Sequence, residues 1–304
     1  MTNPFLALQP KTDTPLPEGS GFGVAGHWWE QNQIDALIAA HAARRPLLVR
    51  GEAGSGKSQL ARAAARVLGG ELLFEVIHPR LEALDLLYRF DAVRRLADAQ
   101  AKAIKEDRHY LQKGVLWQAL EACRKENPRP VLLIDEIDKA DADVPNSLLD
   151  VLGNRSFHVS LTEEVVSPPS GEMPLILITT NEERELPPAF VRRCLVLNLN
   201  PPAEDAAFLA WLVERGKVHR HLGIEDSVRQ SAAEQVLKDR KDAALAGQPK
   251  VGLAEYIDLL TALDELTAGL KAQARRSKQE EWLERLADYF LIKGDNVPQG
   301  RRAP

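Results

Sequence analysis

The chain has 304 residues, enough for about two domains and a sizeable core. Hydrophobic residues make up 44% and charged residues 27%, ordinary proportions for a soluble globular chain. The net charge of −5 gives no global argument for a nucleic-acid partner, and no apolar run reaches membrane-spanning length. Cys123 and Cys194 form no motif with each other and read as core thiols of a reducing compartment. The N-terminus lacks a basic segment followed by an apolar run, so no signal peptide is expected and the expected location is cytoplasmic.

Residues 1–26 are rich in Pro, Gly, Thr and Ser and read as an extended, partly disordered arm. The arm is either a tether or a segment lying over a nucleotide base, and its apolar end, Gly21–Gly26, suits packing on a domain. From His27 to Ala43 the apolar residues Ile34, Leu37 and Ile38 fall at helical spacing, with Trp28 and Trp29 as packing anchors and His41 on the surface. Pro46–Arg50 reads as a short buried strand. It runs into Gly51-Glu52-Ala53-Gly54-Ser55-Gly56-Lys57-Ser58, which fits the phosphate-loop pattern G-x-x-x-x-G-K-[ST]. Glycines let the backbone curl so that amides face phosphate oxygens. Lys57 adds a charge for the β/γ-phosphates, and Ser58 offers a hydroxyl to Mg²⁺. A helix from Gln59 to Leu68 completes the strand–loop–helix context and sets the phosphates at a helix N-terminus.

Glu71–His78 reads as a strand ended by Pro79. Leu84–Ala97 mixes helical signals with Arg89, Arg94 and Arg95, either a salt-bridged face or a surface for a partner. Val115–Arg124 is an amphipathic helix. Val131-Leu-Leu-Ile-Asp-Glu-Ile-Asp138 then gives four apolar residues of a buried parallel strand with Asp135 and Glu136 at its carboxyl end. An aspartate there suits the Mg²⁺ shell, and the adjacent glutamate suits activation of a water. A helix over 141–152, a hairpin over 157–166 and a third buried strand, Leu175–Asn181, follow. Pro187–Cys194 and the strand Leu195–Leu199 lead to Pro201-Pro202. Beyond Ala203 only helical patterns remain, at 208–213, 228–237, 253–270 and 280–292. The basic stretch Lys271–Lys278 reads as solvated, and residues 293–304 as a frayed tail.

With these motifs in place, the chain resembles the AAA+ ATPases, and within them the MoxR-like branch related to McrB and dynein motors. The resemblance covers about residues 20–290. It is most distinctive over Pro174–Cys194, similar to that branch's sensor-1 strand running into its arginine-finger helix, while the 157–166 hairpin resembles the pre-sensor hairpin. Asp85–Asp91 resembles an insertion often found in MoxR-like members, several of which sit in bacterial defence systems. The resemblance implies that Asn181 is sensor 1, touching the γ-phosphate or the attacking water. It implies that Arg192 or Arg193 completes a neighbouring subunit's site, the plainer alternative being a structural salt bridge. One departure stands out. Where a sensor-2 arginine is expected, Gln248–Glu255 offers only Lys250 as a nearby cation.

The expected fold is an α/β phosphate-loop core with a parallel sheet (27–202), followed by an all-helical lid (203–292). The expected site binds ATP through Gly51–Ser58, Gln59 and Lys250, and Mg²⁺ through Ser58 and Asp135. Glu136, Asn181, Arg192 and Arg193 would act in catalysis. The resemblance implies self-association into a hexameric ring that remodels or activates a partner protein. The rival readings are a slow-turnover nucleotide-gated scaffold, a small-molecule kinase that stays monomeric with ATP, and a nucleic-acid translocase, which the net charge does not support.

Overall fold

The computed structural model describes residues 3–19, 21–124 and 128–291. The chain divides into two compact units. One holds the residues up to Pro10, Trp29–Gly51 and Lys57–Asn198. The other holds Lys11–Trp28, Glu52–Gly56 and the residues from Leu199 onward.

The N-terminal stretch read as an arm is folded where it is described. Pro4–Ala7 form a 3₁₀ turn with Asn3 as its cap: the Asn3 side chain accepts from the Phe5 N–H, and its Nδ2 donates to the Ile38 carbonyl at 3.0 Å. Phe5 is completely buried. Strands β1 (Asp13–Leu16) and β2 (Ala25–Trp28) then pair antiparallel, with Thr14 opposite His27. Thus His27 and Trp28 belong to a strand, and helix α1 starts only at Gln31 (Gln31–Ala43), after Glu30 caps it. Pro15 and Gly26 hid this ribbon, because neither carries the β-branched or aromatic signal of a strand.

The first unit is built on one parallel sheet. Its strands are β3 (Leu47–Arg50), β4 (Leu72–Val76), β7 (Val131–Asp135), β10 (Leu175–Thr180) and β11 (Leu195–Asn198), in the spatial order β11-β3-β10-β7-β4. Every residue of β10 is buried, as are Val131–Ile134 of β7. Strands covered on both faces read as unbroken apolar runs for this reason. Each fully buried Leu or Ile contributes about 1.5–3 kcal/mol relative to exposure. Helix α2 (Lys57–Leu68) follows the phosphate loop and presents Leu60, Ala61, Ala63 and Ala64 to the interior.

Between β4 and β7 lies the segment with mixed signals. Helix α3 (Ala83–Leu87), strand β5 (Tyr88–Phe90), helix α4 (Ala92–Gln100), strand β6 (Leu111–Lys113) and helix α5 (Val115–Ala122) follow in turn. β5 and β6 pair antiparallel. Arg89 meets Asp85 at 2.8 Å and Arg95 meets Asp107 at 2.7 Å, while the Arg94 guanidinium lies 3.1 Å from a His109 ring nitrogen. Arg89 and Arg95 are thus salt-bridged. α4 buries none of its residues. Helix α6 (Asp143–Asn154), the hairpin of β8 (Phe157–Val159) and β9 (Glu164–Val166), and helix α7 (Pro188–Arg193) complete the unit. Cys123 and Cys194 are both free and buried, with burial pushing their thiols up to about 12 and about 11.

The second unit contains helices α8 (Asp205–Val218), α9 (Asp226–Leu245), α10 (Leu253–Leu266) and α11 (Ala272–Leu291). Their shared core includes Phe208, Leu212, Val228, Tyr256 and Leu260. The β1–β2 ribbon packs on α8, and a Cβ on Gly26 would come within 2.2 Å of Val218. The basic Lys271–Lys278 stretch, read as solvated, is mostly exposed and from Ala272 on opens α11, where Arg276 pairs with Glu280 at 3.0 Å and Lys278 with Glu281 at 2.6 Å. Ile292 and the expected tail lie outside the described residues.

Candidate active site

Three adjacent strands set the site. β3 ends into the phosphate loop, β7 ends at Asp135, and β10 ends one residue before Asn181. Ligands of open α/β sheets bind at these carboxyl ends. Along the loop, Gly54 and Gly56 have φ of 74° and 94°, values that a side chain strains to adopt. The Ser55 amide closes a turn onto the Glu52 carbonyl at 3.2 Å, Ala53 is exposed, and Gln59 accepts from Arg62 at 2.9 Å.

Lys57 is the first residue of α2 and is buried. Its ammonium donates to the Gly51 carbonyl at 2.8 Å and to Asn181 Oδ1 at 2.7 Å. Burial lowers its pKa, while the carboxylates of Asp135, Asp138, Glu136 and Glu182 oppose that shift. Ser58 Oγ donates to Asp135 Oδ2 at 2.8 Å. The other oxygen of Asp135 accepts from the Thr179 hydroxyl, and that hydroxyl accepts the Glu136 N–H at 2.9 Å. Thr179 therefore ties the end of β7 to β10 through both acidic residues, Asp135 and Glu136.

Glu136 adopts the left-handed conformation (φ 61°, ψ 47°), uncommon for a residue with a side chain and frequent at functional sites. Its carboxylate accepts from Lys139 at 2.6 Å and from Asn181 Nδ2 at 3.3 Å. The Glu136 hydrogen bond also holds Lys139 above the usual lysine range. Asp138, almost wholly buried, accepts from the Glu183 amide at 2.9 Å and the Asn181 amide at 3.4 Å, fixing the loop that carries Asn181.

The hydroxyl of Ser58 and the carboxylate of Asp135 are hard oxygen donors. With phosphate oxygens and waters they suit Mg²⁺, which binds through one or two carboxylates plus substrate phosphates. Among the described residues no group of three His, Cys, Asp or Glu side chains could hold a metal unaided.

Residues 46–194 match the family model described as AAA domain (dynein-related subfamily). Over this segment the chain is similar to that domain. Its sheet and flanking helices form a phosphate-loop AAA+ core, and Lys57, Ser58, Asp135, Glu136 and Asn181 all lie at one end of it. Among solved structures, the chain is similar to the Holliday junction branch migration motor RuvB of Thermotoga maritima, at 19% identity, covering 84% of this chain and 67% of that one, with a TM-score of 0.46. A proline-to-glycine variant of the same motor gives 18% identity, 84% and 68% coverage, and a TM-score of 0.48. No curated protein matches the sequence.

Two expected groups remain, the arginine pair and Lys250. Arg192 and Arg193 occupy the last turn of α7, are exposed, and form no ion pair among the described residues. Their carbonyls, with that of Cys194, are gathered by the Arg45 guanidinium, at 3.1 Å to Arg193 and 3.3 Å to Cys194. Among the described residues, the structural-salt-bridge alternative therefore finds no partner. Lys250 is exposed and makes no hydrogen bond or ion pair among the described residues. The cation that reaches the loop is Arg240, which the sequence reading passed over together with Thr179 and Asp138.

Proposed function

We propose that the protein hydrolyses ATP with Mg²⁺ as one subunit of an assembly. The observation that carries this reading is the linked set of Lys57, Asn181 and Glu136 beside Ser58, Asp135 and Thr179. Lys57 and the loop amides hold the β- and γ-phosphates. Ser58 and Asp135 would hold Mg²⁺, and the ion would supply charge neutralisation for the phosphate oxygens. Glu136 orients and polarises the attacking water, and Asn181 sits between Glu136 and the lysine, where it can fix the γ-phosphate.

Arg192 and Arg193 are exposed and have no ion partner among the described residues, which supports a role for one of them in a neighbour's site. A guanidinium supplied in trans is worth roughly 10³–10⁵ in rate where such a finger acts. That arrangement calls for a ring, a hexamer on the MoxR-like resemblance, with a partner protein remodelled or activated by nucleotide-driven movement. One observation favours a slower, switch-like version: Lys139 and Asn181 both engage the Glu136 carboxylate and compete with a water for it.

The test is light-scattering mass with and without Mg²⁺-ATP, alongside phosphate release, for wild type, Glu136→Gln and Arg192→Ala/Arg193→Ala. An assembly that forms with ATP, persists in Glu136→Gln and releases phosphate only in wild type is the expected result. A monomer throughout, with full turnover in the arginine double variant, overturns the trans-acting arginine. Slow release from an intact assembly selects the switch.

A further inference from the structure

The second residue of the phosphate loop is held by a side chain 188 positions away. Arg240 Nη2 donates to both carboxylate oxygens of Glu52, at 2.8 and 2.6 Å. The Arg240 side chain is 15% exposed, and its Nη1 donates to the Val251 carbonyl at 2.9 Å. Its guanidinium carbon lies 5.2 Å from the centre of the buried Phe208 ring. Contacts with α8 and with the residue Val251 before α10 thus fix where the guanidinium, carried on α9, meets the loop. Gly54 touches the same unit: a Cβ there would stand 2.6 Å from the Ala254 Cβ on α10. Beside the pair opens a cavity of about 340 Å³, bordered by Asn200, Pro202, Phe208 and Lys250.

A carboxylate at the second position of an anion-binding loop is chemically awkward. It stands near amides whose task is to receive phosphates, and its charge repels them. The structure meets that charge with Arg240. We infer that Arg240 is a positioning residue for nucleotide binding, acting through Glu52: it fixes the conformation of the loop and cancels the carboxylate's repulsion of the triphosphate. This deepens the ATP-binding reading and rests on it.

The inference predicts an asymmetric double-mutant cycle. Arg240→Met keeps the apolar stem over Phe208 and removes the charge. It weakens Mg²⁺-ATP binding by about tenfold, the scale of a unit charge acting over roughly 10 Å at an effective dielectric near 20. Glu52→Gln alone changes affinity less than about threefold. The double variant Glu52→Gln/Arg240→Met returns to within about threefold of wild type, because the repelling charge has gone as well. Calorimetric titration of the full chain with Mg²⁺-ATP reads all four proteins, with Lys57→Ala as the control and thermal melting to confirm folding. If Arg240→Met does not fold, Arg240→Gln replaces it in the cycle.

A double variant as weak as Arg240→Met overturns the inference, because Arg240 then acts on the nucleotide or the fold without Glu52. Wild-type affinity in Arg240→Met overturns it equally. A wild-type chain that binds no ATP, like Lys57→Ala, refutes the nucleotide reading itself, a result distinct from either of these.

Discussion

Replacing Thr179 by valine is the sharpest probe of the candidate site. Valine nearly matches threonine in shape, and position 179 is fully buried, so no cavity or clash obscures the result. Two bonds disappear. The Asp135 carboxylate loses a hydroxyl donor, and the Glu136 N–H loses its acceptor at 2.9 Å. A hydrogen bond to a charged group contributes about 1.5–3 kcal/mol, and a buried donor left without a partner costs about 1–3 kcal/mol. Part of this returns as apolar burial of the new methyl, about 0.8 kcal/mol. The net expectation is a loss of about 2–5 kcal/mol, read as a lower urea midpoint at unchanged slope. Turnover should fall further than stability alone explains, by roughly tenfold to a hundredfold, because the carboxylates of Asp135 and Glu136 lose their common reference point. Thr179→Ser keeps the hydroxyl and should retain turnover. If Thr179→Val matches wild type in both midpoint and phosphate release, or if the serine variant fails as badly as the valine one, the bridge does not hold the site.

Other substitutions test separate parts of the molecule. Gly54→Ala places a side chain at φ 74° and within 2.6 Å of Ala254; the left-handed position alone costs about 1–2 kcal/mol, and ATP binding measured by calorimetry should weaken at least about tenfold. Arg45→Met removes the guanidinium that gathers three carbonyls at the end of α7; stability should change by only about 1 kcal/mol, while phosphate release from the assembled protein drops and ATP affinity, titrated in parallel, stays put. His219 has its pKa lowered to about 4 by burial, with His221 adding to the shift. Because the folded value lies below the unfolded one, the protein is fully stable above about pH 6.5 and loses stability as pH falls from there toward 4. Urea midpoints at pH 7 and pH 5 should show about 2 kcal/mol of loss that His219→Gln removes.

How much could be read in advance depended on whether a residue acts through its neighbours in sequence. β7 and β10 announced themselves as apolar runs, since burial on both faces leaves no polar alternation. Lys57, Ser58, Asp135 and Glu136 stood out as candidates by their motifs at strand ends, and Asn181 through the family resemblance. The long lid helix α9 extends to Leu245, well past the expected Leu237, because its later turns are largely polar and carry little apolar period. Arg240 hid there for the same reason, its partner Glu52 being brought close only by the fold. Thr179 did leave a trace. A hydroxyl inside an otherwise apolar strand must find a partner, and its place at the end of β10, beside the acidic end of β7, shows which.

The nine-residue helix α4 buries no side chain, leaving Val93 81% and Leu96 61% exposed. An isolated helix of that length is marginal in water, held here by its Asp91 cap and the Arg95–Asp107 pair. Its amides should therefore exchange with deuterium through small local openings, within seconds to minutes, while those of β10 wait for global unfolding. A protease would cut first in this segment and leave the sheet intact, so residues 92–100 could be altered, tagged or replaced without disturbing the strands that carry the site.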